Sequence, residues 1–251
     1  MERPSAAVFP VLPRLRMSVA FFALCDYLLV GRINSVKQTA GRAWDYRTLG
    51  RLGQKEVTAT RRRLIAEAEV LVRTRGFAGF SYADLAKAVG LSKATIHHHF
   101  PAKEDLGAAL IANYKERYDA ALDAIWKKST SGIARIEAYA KLYLDGVRQD
   151  QGCLCGVMAS ERDILPQRLR YGIARFFEEH LVWLQRVLEA GIENGTIRPG
   201  VDPAPQAKLV LSALEGMIML GRLFGDKSSF DTSADALGKS LLNYAADPFE
   251  R

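Results

Sequence analysis

The sequence has few cysteines, which cross-link small secreted proteins, and few of the glycines and prolines that interrupt helices and strands. Among 251 residues there are three cysteines, Cys25, Cys153 and Cys155, which cannot form a disulfide framework. The 20 glycines and 9 prolines are too few for a low-complexity or collagen-like chain. No apolar run approaches the roughly 18 residues that span a bilayer. These shortages exclude a disulfide-rich secreted protein and a polytopic membrane protein, and they favour the reducing cytoplasm.

Apolar side chains are plentiful enough for a substantial core. Hydrophobic residues make up 49% of the chain and charged residues 25%, which excludes wholesale disorder. Apolar residues recur at helical spacing from Thr58 onward, and alternating strand patterns are absent. We therefore expect an all-α fold. Beyond the first four helices, the pattern predicts helices over 132–149, 153–164, 166–194, 203–225 and 230–246.

The formal charge of +7 is unevenly distributed. Residues 1–57 have a net charge of +5, residues 58–118 have +4, and residues 119–251 have −2. A basic N-terminal part followed by a slightly acidic C-terminal part indicates a polyanion-binding region joined to a neutral one. Charge alone does not distinguish nucleic acid from an anionic membrane surface.

Residues 1–57 show no clear structural pattern. Prolines interrupt the beginning, and the short apolar stretch from Val19 to Val30 contains Asp26. Because the stretch carries an acid and no small-x-small cleavage site follows it, neither a signal peptide nor a membrane anchor is favoured. We expect an extension that is disordered or that reflects a start codon assigned too far upstream. A functional segment is the alternative.

A helix-turn-helix is predicted over about residues 81–100. Ser81 and Ser92 are suitable N-caps for two short helices, and Gly90 allows a left-handed turn between them. Apolar residues at Leu85 and Ile96 would pack both helices against the preceding one. The second helix would then present its other face to a DNA major groove. Spacing alone does not distinguish a helix-turn-helix from other helical hairpins, which are common.

The identities of the residues in this stretch are more specific than the spacing of its helices. TRRRLIAEAEVLVRTRGFAGFSYADLAKAVGLSKATIHHHFPAKEDL resembles the DNA-binding domain of TetR-family transcriptional regulators. The resemblance implies a three-helix DNA-binding domain over 58–118, followed over 119–251 by a larger helical ligand-binding and dimerisation domain. It also implies a cytoplasmic, nucleoid-associated homodimer that is not an enzyme. Such a dimer would repress transcription from a palindromic operator in double-stranded DNA until a small molecule or reactive electrophile releases it.

The resemblance assigns roles to individual residues in the helix-turn-helix. Lys93 and Thr95 are the expected contacts to base edges or phosphates, and Lys103 is expected to touch a backbone phosphate. Arg61 and its two neighbouring arginines would reach an adjoining groove, with a solvated helix N-terminus as the alternative. The full expected DNA-binding set is Arg61, Ser81, Tyr82, Lys93, Ala94, Thr95, His97, His98 and Lys103.

One position departs from the family pattern. His97 stands where the family commonly has tyrosine, so the phosphate contact of that tyrosine is in doubt, although imidazole could replace it. Three consecutive histidines also resemble a metal site. Neighbouring side chains on a helix point about 100° apart and do not converge, so no metal and no cofactor are expected.

The ligand-binding half offers weaker signals. The segment DQGCLCGVMASE resembles the start of the sixth helix in a common TetR subgroup, in which a cysteine of related regulators senses electrophiles. Cys153 is thus a candidate sensor, while a small buried packing residue is the favoured interpretation. Aromatic and methionine residues on the central helices could line a ligand pocket or fill the core. The expected ligand-binding set is Tyr143, Cys153, Met158, Phe177, Trp183 and Met217.

The sequence leaves two other function classes as alternatives to a regulator. An all-helical enzyme lacks support, because no nucleophile elbow, HExxH, phosphate loop or glycine-rich cofactor motif occurs. His180 lies near Glu178 and Glu179, but a solvated helix face would explain that grouping. The remaining alternative is an architectural or membrane-associated protein that uses the basic N-terminus; no membrane partner is expected.

Overall fold

The structure is a computed structural model that describes residues 46–226 and 228–241. For residues 46–57, 145 and 229 it describes the backbone alone. Over residues 46–226 and 228–241 the chain forms nine α-helices and no strand, so the all-α prediction is confirmed. No helix within the described ranges is long and apolar enough to cross a membrane. The helices are α1 (Tyr46–Arg75), α2 (Tyr82–Val89), α3 (Lys93–His99), α4 (Lys103–Lys128), α5 (Gly132–Arg148), α6 (Leu154–Ser160), α7 (Gln167–Glu193), α8 (Pro203–Phe224) and α9 (Ser228–Ser240).

Most predicted helix boundaries agree with the structure, and three differ, including the last helix, which was predicted over 230–246 and spans Ser228–Ser240. α1 begins at Tyr46 rather than Thr58, so it reaches into the segment that was set apart as an extension. This part of the sequence contains no proline, and its two glycines do not stop the helix. α6 ends at Ser160, and a short 3₁₀ turn over Arg162–Ile164 follows it. Residues 1–45 and 242–251, including Tyr244 of the expected last helix, lie outside the described residues.

A continuous apolar core runs from the first helices into the larger C-terminal part. Leu64, Ala68 and Val72 of α1 are fully buried, as are Leu85 of α2 and Ile96 of α3. Because these residues recur at helical spacing, they form one inward face on each helix. α7 lies at the centre of the C-terminal part, where it packs against α4, α5 and α8.

Candidate nucleic-acid interface and adjoining cavity

The turn between α2 and α3 is built by local sequence signals. Gly90 ends α2 with a left-handed backbone, φ 67°, that other residues rarely adopt. Ser92 begins α3, where its hydroxyl accepts a hydrogen bond from the Thr95 N–H at 3.1 Å. These two residues fix the angle at which α3 leaves the turn.

α3 presents a polar outer face, as expected of a recognition helix. Ile96 is fully buried beneath it, whereas Lys93, Ala94, His97 and His98 are exposed. The hydroxyl of the half-buried Thr95 lies 2.9 Å from the Ser92 hydroxyl. The structure therefore brings five of the nine expected DNA-binding residues onto one short helix.

The arginines of α1 flank this helix in different ways. The Arg61 guanidinium lies over the Phe100 ring, 4.9 Å from its centroid, beside the C-terminal end of α3. Burial lowers the pKa of His99 there, and the charges of His98 and Arg61 lower it further. Arg63 donates to the Val89 carbonyl at 2.5 Å and so caps the end of α2. This hydrogen bond gives Arg63 a structural role that does not depend on a contact with a DNA groove.

Ser81 and Tyr82, which were expected near the sugar-phosphate backbone, both make hydrogen bonds within the chain. The Ser81 hydroxyl donates to the Asp84 carboxylate at 2.6 Å in a capping box, so its only proton is engaged. These hydrogen bonds hold the pKa of Asp84 below its ordinary value. Tyr82 is buried, and its hydroxyl donates to the Phe100 carbonyl at 2.9 Å. Burial raises the pKa of Tyr82 to about 12.

Lys103, which was expected to touch a backbone phosphate, also makes hydrogen bonds within the chain. Its ammonium donates to the Phe77 carbonyl at 2.5 Å and to the Phe80 carbonyl, and it lies over both phenyl rings. Desolvation lowers the pKa of Lys103, while the negative charges of Glu161 and Asp84 oppose that shift. With two of its three N–H donors engaged, Lys103 primarily fastens the start of α4 to the turn after α1.

Glu161, which the sequence analysis did not select, joins the C-terminal part to that same turn. Its carboxylate accepts a hydrogen bond from the Ala78 N–H at 3.0 Å. It also lies against Gly76, whose φ of 88° and lack of a side chain leave room for the carboxylate. Residues 76–81 are thus held by Glu161 from one side and by Lys103 from the other.

A cavity of about 670 Å³ adjoins this contact. Its walls come from the C-terminal end of α1, from α6, and from α7 and α8. Of the expected ligand-binding residues, Cys153 and Phe177 line it. Met158 is instead fully buried in the core, and Met217 is half-buried against it.

The other expected ligand residues belong to a packed aromatic cluster. Trp183 stacks on Tyr139 with ring centroids 5.5 Å apart, and the Tyr143 hydroxyl lies 3.0 Å from the Tyr139 hydroxyl. The Tyr139 hydroxyl in turn lies 2.7 Å from Nδ1 of His180. His180 is 1% exposed, so its assignment to a solvated helix face is wrong. Burial lowers the pKa of His180 to about 4, which keeps the imidazole neutral.

Cys153 is better described as a packing and capping residue than as an electrophile sensor. Its sulfur is buried and lies 3.8 Å from the Tyr114 hydroxyl. The same sulfur caps the start of α6, where it accepts a hydrogen bond from the Gly156 N–H at 3.4 Å. Burial raises the pKa of Cys153 well above its ordinary value, and the charge of Glu215 raises it further. Because the thiolate is the nucleophile, this environment opposes reaction with electrophiles.

Glu215 of α8 was not selected from the sequence either. It lines the cavity, and its Oε1 atom is buried without a hydrogen-bond partner. Burial raises the pKa of Glu215 to about 7, and a hydrogen bond with Cys153 opposes that shift. Its position between Leu211 and Ile218 on the buried stripe of α8 was the available sequence signal.

Comparison with known proteins places both parts of the chain among bacterial regulators. Residues 64–110 match the family described as "Bacterial regulatory proteins, tetR family". Residues 132–237 match the family described as "Tetracyclin repressor-like, C-terminal domain". The two matches correspond to the helix-turn-helix region and to the helical part that contains the cavity.

This chain matches individual relatives over most of their length. A nucleoid occlusion factor, SlmA, from Marinomonas sp. is 33% identical over 159 residues, which cover 62% of this chain and 78% of that protein. The HTH-type transcriptional repressor DhaR from Mycobacterium sp. is 22% identical over 186 residues, which cover 74% and 93%. The crystal structure of a TetR-family regulator from Agrobacterium tumefaciens is similar with a TM-score of 0.72 and 25% identity, over 74% of this chain and 100% of that one.

Proposed function

Because the chain belongs to the TetR family of bacterial regulatory proteins, and is a DNA-binding transcriptional regulator, we propose that it acts as a ligand-released homodimeric repressor. In this proposal two copies of α3 enter successive major grooves of a palindromic operator. The protein then works in the cytoplasm on nucleoid DNA and catalyses no reaction. The exposed polar face of α3 above the buried Ile96 carries the proposal.

The residues proposed to contact the operator are those that remain accessible. Lys93 and Thr95 lie in the first turn of α3, and His97 and His98 lie one turn further on. Lysine pairs with phosphates and guanine edges, whereas threonine and histidine donate to phosphates or bases. Arg61 lies beside the end of this helix and supplies charge toward the flanking backbone.

An exposed apolar face on α8 supports dimerisation. Leu223 and Phe224 are 72% and 73% exposed, and Leu209, Met219 and Leu220 are also exposed. Gly216 is half-buried beside the cavity, and a side chain there would meet no atom of the chain, whereas Gly221 is buried within the chain. Large apolar side chains exposed on one helix are a feature of interaction surfaces.

The cavity next to Glu161 supports release by a ligand. Ligand pockets in proteins commonly measure 300–1,000 Å³, and this one shares its wall with the turn that Lys103 and Glu161 hold. A ligand that binds better to a displaced arrangement of this wall would shift the dimer toward a spacing unsuited to the operator. A reactive electrophile is not part of the proposal, because Cys153 is buried with a raised pKa.

Footprinting on the DNA upstream of the gene and its neighbours tests this function. The proposal expects protection of a palindrome whose half-sites are one helical turn or a multiple apart, with affinity that falls steeply as salt rises. Equal binding to random DNA would instead support an architectural role.

The similarity to SlmA of Marinomonas sp. gives a second candidate, a nucleoid occlusion factor. Transcript levels after deletion of the gene distinguish the two candidates. A repressor's deletion raises transcripts next to the protected sites. If these transcripts stay unchanged while cell division over the nucleoid is altered, the second candidate is supported.

A further inference from the structure

The cavity beside α6 is lined by apolar side chains and by the half-buried acid Glu215. Val157, Phe177 and Ile218 supply apolar surface from three different helices. Glu215 lies among them, against the backbone of Gly156, where a side chain on residue 156 would collide with Oε2. The lining also includes Glu161 and three arginines, so the site combines apolar surface with several polar groups, as small-molecule pockets do.

The Glu215 carboxylate has a hydrogen bond with the weakly polar Cys153 thiol, which leaves one of its two oxygens unsatisfied. Its Oε1 atom is buried and accepts no hydrogen bond in the described part of the chain. A buried carboxylate oxygen without a donor costs free energy, which a donor supplied from outside would recover. Such a donor must enter from the cavity, because the carboxylate lines it.

Arg73, Arg75 and Arg222 line the same cavity, and within the described part of the chain none of them forms an ion pair with Glu215. Arg73 donates to the Gly152 carbonyl at 2.7 Å and pairs with Glu69 at 3.3 Å. Arg222, two helical turns beyond Glu215 on α8, lies 3.6 Å from the Asp150 carboxylate. Burial, rather than any neighbouring charge, dominates the raised pKa of Glu215. Oε1 of Glu215 is therefore the carboxylate oxygen of this pocket that lacks a donor, while Nε of Arg222 is a buried nitrogen without a hydrogen bond but lies near Asp150.

We propose that this cavity is the effector site and that the effector is a small organic cation, with a protonated amine that donates to Glu215 and an apolar body that packs on Val157, Phe177 and Ile218. The inference rests on the proposed ligand-released repressor and names the chemical class of its ligand. The two oxygens of Glu215 accept N–H donors from the amine, and the unpaired buried charge gains its counter-ion.

The same cavity gives the cation a direct route to the helix-turn-helix. Glu161 and Gly76 belong to its wall, and Glu161 holds the Ala78 N–H. A ligand body that displaces α6 moves the Glu161 carboxylate with it. The turn that positions α2 then loses one of its two anchors, while Lys103 remains.

Calorimetry on the full chain tests the class of ligand with three probes of similar shape. 2-Phenylethylammonium should bind at least tenfold more tightly than 2-phenylethanol or 3-phenylpropionate. Its affinity should fall severalfold between pH 8 and pH 6, because protonation of Glu215 removes the charge that it needs, whereas the amine stays protonated throughout. This wild-type measurement requires no variant. Equal affinity for the alcohol, or tighter binding of the carboxylate, would overturn the inference.

Two variants locate the site. Glu215→Gln should lose the preference for the amine and its pH dependence, while Glu178→Gln, at an exposed position of α7 outside the cavity, should bind like wild type. Unchanged amine binding by Glu215→Gln would refute the assignment.

Operator release is measured in the same preparations. If the amine binds through Glu215 but leaves a specific operator complex intact, the effector role is overturned. If the chain binds no specific DNA at all, the proposed repressor fails while the calorimetry still decides the chemistry of the cavity.

Discussion

Glu161 accepts a hydrogen bond from the backbone N–H of Ala78, 83 positions earlier in the chain, at 3.0 Å. It is the contact through which the segment after α6 holds the turn before α2. Gly76 makes room for it, since a side chain there would collide with the carboxylate. The cavity wall and the support of the helix-turn-helix are therefore parts of one structure.

Replacing Glu161 with alanine should loosen this turn without unfolding the chain. The hydrogen bond stabilises by about 1 kcal/mol, so the Ala78 amide should exchange with deuterium roughly five- to tenfold faster. Hydrogen exchange resolved by residue measures it. Asp163→Asn, at an exposed position of the adjacent 3₁₀ turn, is the control and should leave the Ala78 amide unchanged. Unaltered exchange in Glu161→Ala would show that the contact does not hold the turn.

Lys103→Met should lower stability more than it alters the electrostatics of DNA binding. The variant keeps much of the side-chain volume but loses two hydrogen bonds from an ammonium to carbonyls, so we expect a loss of about 2–3 kcal/mol in the free energy of unfolding. Urea titration measures this loss. The dependence of operator affinity on salt should keep its slope, whereas a slope reduced by about one would restore a phosphate contact as the main role of Lys103.

Local sequence signals predicted the helices and turns well, but they did not predict the side-chain contacts. Ser81, Gly90 and Ser92 act on neighbours within a few residues, and the predicted helix-turn-helix is confirmed. The roles of Lys103 depend on carbonyls 26 and 23 positions away, which no local pattern reveals. His180 was misplaced because Glu178 and Glu179 precede it, although Phe176 and Trp183 mark its buried stripe at helical spacing. Glu215 follows the same logic, since a polar residue on an apolar stripe is uninformative until its surroundings are known.

Tyr82→Phe separates a structural role from a DNA contact. The variant removes only the hydroxyl that donates to the Phe100 carbonyl, so the free energy of unfolding should fall by about 1 kcal/mol. Operator affinity at fixed salt, measured by fluorescence anisotropy on the folded variant, should stay within twofold of wild type. A tenfold loss of affinity with unchanged stability would return Tyr82 to the DNA interface.

Lys93→Ala should weaken operator binding and leave the fold intact. Lys93 is exposed at the start of α3, so its loss removes a charge from the DNA face without opening the core. Affinity should fall by about 1–3 kcal/mol if the lysine reads a base, or the salt slope should fall by about one if it contacts a phosphate. Lys128→Ala, at the exposed far end of α4, is the matched control. Equal behaviour of the two variants would contradict the placement of α3 in the groove.

Glu215→Gln should change how stability depends on pH. Burial raises the pKa of Glu215 from 4.5 to about 7, so the folded state holds a proton that the unfolded state has released between these values. Its stabilising contribution is complete below pH 4.5 and is lost as the pH rises through about 7. The glutamine variant does not titrate, so its stability relative to wild type should increase from pH 5 to pH 8 by on the order of 2 kcal/mol.

His180 contributes the opposite trend and cancels from that comparison. Its pKa is lowered to about 4, so stability falls as the pH decreases from 6.5 toward 4 in both proteins. Thermal unfolding of wild type and Glu215→Gln over the same pH series therefore isolates the carboxyl group. A difference independent of pH would show that Glu215 ionises normally in the folded protein.

The central claim, that this chain is a sequence-specific repressor, is tested most directly by competition between its upstream DNA and random DNA of equal length. Fluorescence anisotropy at physiological salt should give a specific affinity at least a thousandfold above the random one, with two protomers bound per palindrome. A ratio below tenfold, or binding without a fixed stoichiometry, would contradict the account.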